Sequence, residues 1–448
     1  MPSKEYTVPQ IKIKGTDAEP KPNERSILDY MGVPTKIKKE FSINALPIRA
    51  YVKIWNEFFR DENVDNAAVL KTDDENVDYA FGDENSVQVA ENNAYKGGNL
   101  LPVNKFHDYF TSCLPYPQRG PAVTLPMEGN AAVKLYNSYG LKNERQNNEI
   151  IHLNSENAKM FNWPEAGQES NPVYIAGSKT SGGSEKMDGF LGADLSTVTA
   201  ATINDLRKAV AVQQYYEALA RGGSRYREQV QALWDVTISD KTVQIPEYLG
   251  GGRYHVNINQ IVQTAQNDTT PLGETGAMSV TPINESSFTK SFEEHGFVIG
   301  VCCVRHNRSY QQGLERFWSR EDRLDYYVPQ FANLGEQPVK KKEIMLTGTA
   351  TDEETFGYQE AWADYRMKPN RVSGLMRSNA TGTLDFWHYA DNYSAVPTLS
   401  QDWMEESKNE IARTLVVQNE PQFLGAIRVA NKTTRRMPLY SVPGLYKL

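Results

Sequence analysis

The sequence contains few cysteines and no long hydrophobic run. Its 3 cysteines are Cys113 and the adjacent pair Cys302 and Cys303, too few for a disulfide framework or a four-cysteine metal site. Because neighbouring strand residues point to opposite faces, we predict that Cys302 and Cys303 are small buried hydrophobes. No stretch approaches the roughly 18 to 20 apolar residues that cross a bilayer, and the first residues are polar. We therefore expect no membrane span, no signal peptide and a reducing compartment.

The sequence also lacks the motifs of the common catalytic sites. It has no GxGxxG or GxxxxGK[ST] loop for phosphate, no HExxH pair among its 6 histidines and no GxSxG nucleophile turn. Glu293, Glu294 and His295 have acid–base chemistry, but three consecutive strand residues cannot all face one site. We therefore predict a structural or binding protein that is not an enzyme, with no catalytic residue, no metal ion and no cofactor.

Acidic and basic residues are unevenly distributed along the chain. The 448 residues include 56 Asp and Glu against 48 Lys and Arg, a net charge of -8. Ten of the acidic residues and one basic residue fall between Asp61 and Tyr95, whereas residues 421–448 hold five basic residues and no acidic one. The overall negative charge therefore does not exclude a nucleic acid as a partner, since binding depends on local patches.

The distribution of proline, asparagine and glycine divides the chain into segments. Five prolines among mixed charges predict an extended N-terminal arm over residues 1–40 that needs a neighbour to order it. The remainder, 41–448, is predicted to be a single domain with three long insertions. These are an acidic loop over 61–95, a surface insertion over 135–195 and a helical excursion over 196–235.

Helical periodicity is concentrated in two parts of the chain. Apolar residues at helical spacing predict a helix over 48–59. A second helix is predicted from near Ser196 or Thr199 to Arg221, where two glycines stop it, and a short third one ends near Trp234.

From residue 236 onward the sequence changes to short β runs. The almost continuous apolar run 297–304 predicts a strand buried on both faces, and 383–388 and 415–417 predict further strands. Short strands separated by long irregular loops predict an antiparallel sandwich or jelly roll, with the helices as excursions from it.

Arginine, lysine and aromatic side chains occur close together in the second half of the chain. These residue types are enriched at protein interfaces. The same types bind single-stranded nucleic acid, with cations on phosphates and rings stacked on bases. The pattern leaves both uses open and favours a protein interface.

A series of short motifs runs through the chain in a fixed order, from about residue 40 to residue 446. It includes LPIRAY (46–51), WNEFFRDEN (55–63), DYFTSCLPYPQ (108–118), ARGGSRY (220–226), EHGFVIG (294–300), YRMKP (365–369) and MPLYSVPGL (437–445). The ordered series resembles the major capsid proteins of the Microviridae, small tailless phages with single-stranded DNA, and especially those of the gokushovirus branch.

The resemblance implies a fold, an assembly and a set of partners. The implied fold is mainly β, an eight-stranded antiparallel viral jelly roll with long loop insertions and a few helices. Copies of the chain would form a small T=1 icosahedral shell around a circular single-stranded DNA genome. Further implied partners are a small basic DNA-associated protein, a pilot protein, an internal scaffolding protein and a host surface receptor. The implied location is the virion, after assembly in the host bacterial cytoplasm.

A jelly-roll carbohydrate-binding protein without catalysis remains the alternative to a capsid protein.

The capsid interpretation gives two sets of candidate contact residues. The candidate contacts between subunits are Tyr116, Arg225, Tyr226, Arg316, Trp318 and Arg320. The candidate DNA contacts are Lys432, Arg435 and Arg436, followed by Arg366, Lys368 and Arg371.

Overall fold

The computed structural model divides the chain into two compact units, Met1–Pro117 with Leu219–Leu448, and Gln118–Ala218. It describes residues 7–82, 87–123, 132–137, 189–194, 203–239, 244–257, 259–262, 275–278, 280–283, 287–406, 411–413 and 421–435.

The described helices and strands are short, apart from two helices. The helices are α1 (Ile27–Tyr30), α2 (Leu46–Phe58), α3 (Val87–Asn93), α4 (Ile203–Gly222), α5 (Tyr226–Trp234), α6 (Lys341–Ile344), α7 (Ala363–Arg366) and α8 (Gln401–Met404). The strands are β1 (Gln10–Lys14), β2 (Glu40–Asn44), β3 (Val77–Asp78), β4 (Ala132–Asn137), β5 (Gly189–Asp194), β6 (Asn259–Val262), β7 (Thr275–Met278), β8 (Glu336–Lys340) and β9 (Thr355–Glu360).

The strands pair in small sheets. β1 lies between β2, which is antiparallel to it, and β3, which is parallel to it. The pairs β4–β5, β6–β7 and β8–β9 are antiparallel. Within the residues described, each sheet has two or three strands, and the eight-stranded jelly roll stays a prediction.

A first hydrophobic core forms around α2. The helix begins with a proline in its first turn, where no N–H donor is required. Ile48, Val52 and Trp55, spaced four and three residues apart, are buried on one face, and the Trp55 Nε1 donates to the carbonyl oxygen of Pro102 at 2.6 Å. This confirms the predicted helix.

The N-terminal segment contributes to the same core. Ile11 and Ile13 alternate with lysines in β1 and are fully buried, as are Ile27 and Leu28 of α1. We expected an extended arm over 1–40, but residues 10–14 of this segment form strand β1, which pairs with β2. The alternation of apolar and charged residues in β1 is the pattern of a half-buried strand. Its apolar face is covered by the chain itself.

A second core forms around the proline-rich segment 108–118. Phe110 is fully buried, with its ring centre 4.7 Å from that of Tyr310 and 6.4 Å from that of Phe356. Leu114 exchanges two backbone hydrogen bonds with Tyr358 of β9, each 2.8 Å long. Aromatic residues of this segment are thus packed in the core.

The helical excursion contains both predicted helices. α4 ends at Gly222, and the next residue, Gly223, has φ +91°, a left-handed conformation that stops the helix. α5 ends at Trp234, as predicted. The predicted start of α4, near Ser196 or Thr199, lies outside the described residues, as does most of the insertion 135–195.

Two predicted strands are wrong in the described structure. Residues 297–304 form no β ladder and are mostly exposed, including Cys302 and Cys303. Their apolarity suits a buried strand, but none of the described strands pairs with them. Residues 383–388 contain a 3₁₀ turn, Asp385–Trp387, instead of a strand. The third predicted strand, 415–417, lies outside the described residues.

Candidate assembly and nucleic-acid surfaces

Six large apolar side chains stand exposed on two neighbouring segments of the chain. We call this set the ring patch, and its members are Phe317, Trp318, Leu324, Tyr326, Tyr327 and Tyr365. Trp318 is 69% exposed, and its ring centre lies 4.6 Å from that of Phe317. The ring of Tyr327 packs edge-on against Trp362 at 5.7 Å, and Trp362 donates to the carbonyl oxygen of Phe331 at 2.8 Å.

Arg320 packs against two of these rings. Its guanidinium lies 4.4 Å from the ring centre of Tyr365 and 5.4 Å from that of Tyr326. Its Nη2 is 2.7 Å from Asp364 Oδ2, and the side chains of this ion pair are both largely buried. Arg320 therefore positions the rings of Tyr326 and Tyr365 by cation–π contact rather than offering its own charge to a partner.

Arg316, a predicted subunit contact, and Arg371, a predicted DNA contact, both form hydrogen bonds within their own chain. Arg316 donates to the carbonyl oxygen of Pro338 at 2.6 Å, and Arg371 donates to that of Gly313 at 2.8 Å. Arg371 also lies 3.2 Å from Glu315. Burial lowers the pKa of Arg371, and the charge of Glu315 opposes that shift. Arg316 thus binds strand β8, and Arg371 binds the loop that contains Gly313.

Two other basic residues beside the ring patch face acidic residues of their own chain. Arg366 is exposed and pairs with Glu360, and Lys368 lies 3.9 Å from Glu315 and 5.8 Å from the ring centre of Phe317. The segments 315–325 and 360–371 contain six basic and six acidic side chains. This balance gives the patch no net attraction for phosphate, so its chemistry suits a protein surface better than DNA.

Arg225, a predicted subunit contact, connects α5 to the end of α2 in the same chain. It forms ion pairs with Glu57 at 3.5 Å, with Glu62 at 3.3 Å and with Glu228 at 3.1 Å. Its Nη2 donates to the carbonyl oxygen of Asn56 at 3.0 Å, a helix C-terminal group with no partner inside the helix. Arg225 was predicted to contact another subunit, but the contacts that the structure shows for it lie within its own chain.

The two predicted tyrosine contacts differ from each other. Tyr116 donates from its hydroxyl to Asn63 Oδ1 at 3.0 Å and so joins the second core to the loop after α2. Tyr226, at the start of α5, is 68% exposed and available to a partner.

The basic C-terminal segment is apolar as well as charged. Lys432 and Arg435 are exposed in residues 421–435, a stretch without helix or strand. Leu424 is 93% exposed and Ile427 is 80% exposed in the same stretch. Arg436 lies outside the described residues. The segment thus presents apolar and cationic groups together.

Sequence reasoning missed a group of buried charges, which we call the ion-paired cluster. It consists of Lys105, His306, Arg308, Asp391 and Glu406. Arg308 lies 2.5 Å from Asp391 Oδ1 and 2.9 Å from Glu406 Oε1, and His306 contacts Glu406. Lys105 Nζ is 3.7 Å from Asp391 Oδ2. The members come from distant positions, and no spacing in the sequence signals their meeting.

The pKa values of the cluster reflect burial and pairing. Burial alone would raise the pKa of Asp391, but the charges of Lys105 and Arg308 hold it below its usual range. Burial lowers the pKa of Lys105 to about 8, against the opposing effect of Asp391. The Lys105 ammonium also lies 4.4 Å from the Trp403 ring centre. Such a cluster supports structure, because all its charges are neutralised internally.

Among the described residues, no group of three or more His, Cys, Asp or Glu side chains could hold a metal ion. None of the helices that the structure describes is long and apolar enough to cross a membrane.

Comparison with known proteins places the chain among viral coat proteins. It belongs to the capsid protein (F protein) family, which it matches over residues 1–445. A structural role follows from this membership.

Three relatives carry the name capsid protein VP1. The protein of Chlamydia phage 1 is 38% identical over 493 aligned positions, which cover 100% of this chain and 81% of the relative. That of Spiroplasma virus 4 is 37% identical over 437 positions, covering 94% and 77%. That of Bdellovibrio phage phiMH2K is 37% identical over 460 positions, covering 99% and 80%.

Proposed function

We propose that this chain is the major capsid protein of a small icosahedral phage and forms a T=1 shell around a circular single-stranded DNA genome. The observation that carries the proposal is the family match over residues 1–445, with three phage or virus coat proteins at 37–38% identity across nearly the whole chain. We further propose that each subunit contains the eight-stranded viral jelly roll in the assembled state.

The ring patch is our proposed contact between subunits. Trp362 packs against the rings of Tyr327 and Tyr365. Arg320 lies over those of Tyr326 and Tyr365. This ordering of three of the rings lowers the entropy lost on binding. Aromatic anchors at the centre of a patch dominate binding energy in protein interfaces. In a closed shell such a patch meets a different surface of a neighbouring copy.

The proposed DNA contacts are Lys432, Arg435 and Arg436. Lys432 and Arg435 are exposed, and among the described residues no ion pair engages either of them. Arg366, Lys368 and Arg371 are weaker candidates, because each already faces an acidic residue of its own chain. Contacts of this kind would be largely independent of base sequence.

The DNA proposal is tested by neutralising the three C-terminal cations. The variant Lys432→Gln, Arg435→Gln, Arg436→Gln should fold and assemble but package less genome, with weaker dependence of DNA binding on salt. The matched control is Arg366→Gln with Lys368→Gln, which should package more genome than the triple variant, because an acidic residue already faces each of these cations. Unchanged packaging and salt dependence in the triple variant would show that these residues do not hold DNA.

The remaining partners follow the family interpretation. We propose that a small basic DNA-associated protein, a pilot protein and an internal scaffolding protein accompany the shell, that a host surface receptor recognises it, and that it assembles in the bacterial cytoplasm before becoming the virion.

Sedimentation of the purified full chain under assembly conditions tests the shell proposal against its alternative. A shell protein should sediment as uniform large particles. A jelly-roll carbohydrate-binding protein should sediment as a small oligomer and bind glycans. A small oligomer at all protein concentrations would overturn the shell proposal.

A further inference from the structure

Three carboxyl side chains, two of them buried and the third half-buried, converge beside the ion-paired cluster, and we call them the carboxyl cluster. They are Asp65, in the loop after α2, Glu91 of α3 and Glu405, directly after α8. Asp65 is 5% exposed and Glu91 is 6% exposed. Two amides join them: Asn104 donates to Asp65, while Gln401 donates to Glu91 and also bonds Glu405. Three separate parts of the chain are thereby held together.

The carboxyl cluster has no cation of its own. Among the described residues, none of its three carboxylates has an ion pair within 4.0 Å. The guanidinium of Arg60, whose charge acts on Asp65 and Glu91, donates to the backbone carbonyl of Asp65 at 2.9 Å and lies 3.3 Å from Glu62. Its charge is therefore shared with another acid. Buried carboxylates without a counter-charge are costly unless they keep a proton.

The two clusters lie on opposite faces of the same two short segments. Asn104 and Glu405 form an antiparallel bridge, flanked by hydrogen bonds from the Lys105 N–H to the Met404 carbonyl and from the Glu406 N–H to the Val103 carbonyl, each 2.8 Å long. In an extended chain consecutive side chains point to opposite faces. Asn104 and Glu405 therefore face the carboxyl cluster, while Lys105 and Glu406 face the ion-paired cluster, where the cations are.

We propose that the carboxyl cluster is a proton-operated latch, which fastens residues 401–406 to α3 and to the loop after α2 and loosens them when its last shared proton is lost. While one carboxyl is protonated it is neutral and can donate a hydrogen bond to a neighbouring carboxylate. Once it ionises, three like charges share a site of low dielectric and repel one another. The latch belongs to the single subunit and does not rest on the proposed function.

The pH range follows from Glu405. Burial, followed by the charges of Asp65, Asp402 and Glu91, raises the pKa of Glu405 from 4.5 to about 7. The folded state therefore binds this proton more tightly than the unfolded state, so the stability due to it is complete below pH 4.5 and is lost as the pH rises to about 7. Burial raises the pKa values of Asp65 and Glu91 as well.

Other charged groups surround the latch, and the test must hold them constant. They are Arg60, Asp61 and Glu62 beside Asp65, Asp402 beside Gln401, and Lys105, His306, Arg308, Asp391 and Glu406 on the opposite face. A comparison of two proteins at the same pH cancels their titration.

The experiment is hydrogen exchange of the backbone amides of residues 401–406 in the full chain and in Glu405→Gln, at about pH 5 and about pH 8, which bracket the titration range of Glu405. Glutamine stays neutral and keeps the latch closed. At about pH 8 these amides should exchange about tenfold or more faster in the unmodified chain than in the variant, since each pKa unit corresponds to a factor of ten. At about pH 5 the two proteins should exchange alike.

Two further variants secure the interpretation. Glu91→Gln removes a different charge from the same cluster and should also slow the exchange at about pH 8, which keeps the test valid if Glu405→Gln does not fold. Glu19→Gln changes an exposed glutamate outside the cluster and should behave like the unmodified chain. Equal exchange in the unmodified chain and both cluster variants at about pH 8, or a difference that is the same at both pH values, would overturn the proposal.

Discussion

The ion-paired cluster and the carboxyl cluster are neighbours built from adjacent residues, yet their charges are arranged in opposite ways. In the first, Arg308 lies between Asp391 and Glu406, so buried acids and bases are matched. In the second, the buried Asp65 and the half-buried Glu405 lie near each other, and among the described residues neither has a paired cation. The difference teaches that burial alone does not make a charge stabilising, because the result depends on the partner.

Removing the central cation of the ion-paired cluster should have the largest effect on folding. Arg308→Met leaves the carboxylates of Asp391 and Glu406 buried without their main partner, and breaking such a pair costs about 3–5 kcal/mol. Urea denaturation measures the loss of unfolding free energy. The exposed Arg323→Met is the control and should change that free energy by less than about 0.5 kcal/mol. If the two variants lowered the unfolding free energy equally, the ion-paired cluster would not stabilise the fold as described.

The same substitution in both clusters compares them directly. Asp391→Asn deprives Lys105 and Arg308 of a buried carboxylate and should cost about 3 kcal/mol. Asp65→Asn removes no ion pair and keeps a polar side chain, so it should cost about 1 kcal/mol or less at neutral pH. If Asp65→Asn proves as harmful as Asp391→Asn in urea denaturation, the two clusters do not differ in the way described.

The pH dependence of the two clusters should have opposite signs. Because the pKa of Lys105 falls from 10.5 to about 8 in the folded chain, the folded state binds fewer protons in that range and its stability rises with pH. Lys105→Met should lack this rise, which amounts to at most about 3 kcal/mol. The test is to measure the denaturation midpoints of the unmodified chain and of Lys105→Met between about pH 8 and pH 10.5. Parallel curves would contradict the pKa shift of Lys105.

The smallest effect on folding is expected at the ring patch. Trp318→Ala removes a side chain that is 69% exposed, so the free energy of unfolding should change by less than about 0.5 kcal/mol. Assembly should nevertheless fail, because an aromatic anchor is lost. Sedimentation measures particle formation, and the matched control Trp318→Phe should restore much of it. Normal particles from Trp318→Ala would show that this residue makes no important contact.

Elements with strong local periodicity were predictable from sequence. The helices α2, α4 and α5 follow helical spacing of apolar residues and stop signals such as Gly222 and Gly223. β1 was missed because its apolar–charged alternation occupies only five residues within a proline-rich stretch. The strand predicted over 297–304 failed because an apolar run specifies burial but not a pairing partner.

For the candidate functional sites, the sequence predicted which residue types would make contacts but not which partners they would meet. Arginine and tyrosine types marked Arg225 and Arg316 as contacts, but each is used inside its own chain, which depends on distant carbonyls and acids. The two charge clusters join positions around 65, 105, 308, 391 and 405, and sequence spacing carries no information on such meetings. Trp318 and Lys432 remain candidates, because each is exposed.

The central claim is that copies of this chain close into a small shell through the ring patch. Cryo-electron microscopy of particles assembled from the full chain tests it most directly. We predict a T=1 icosahedral particle in which each subunit contains the jelly roll and a neighbouring copy covers Trp318. An absence of closed particles, or a shell in which the ring patch faces solvent, would contradict the account.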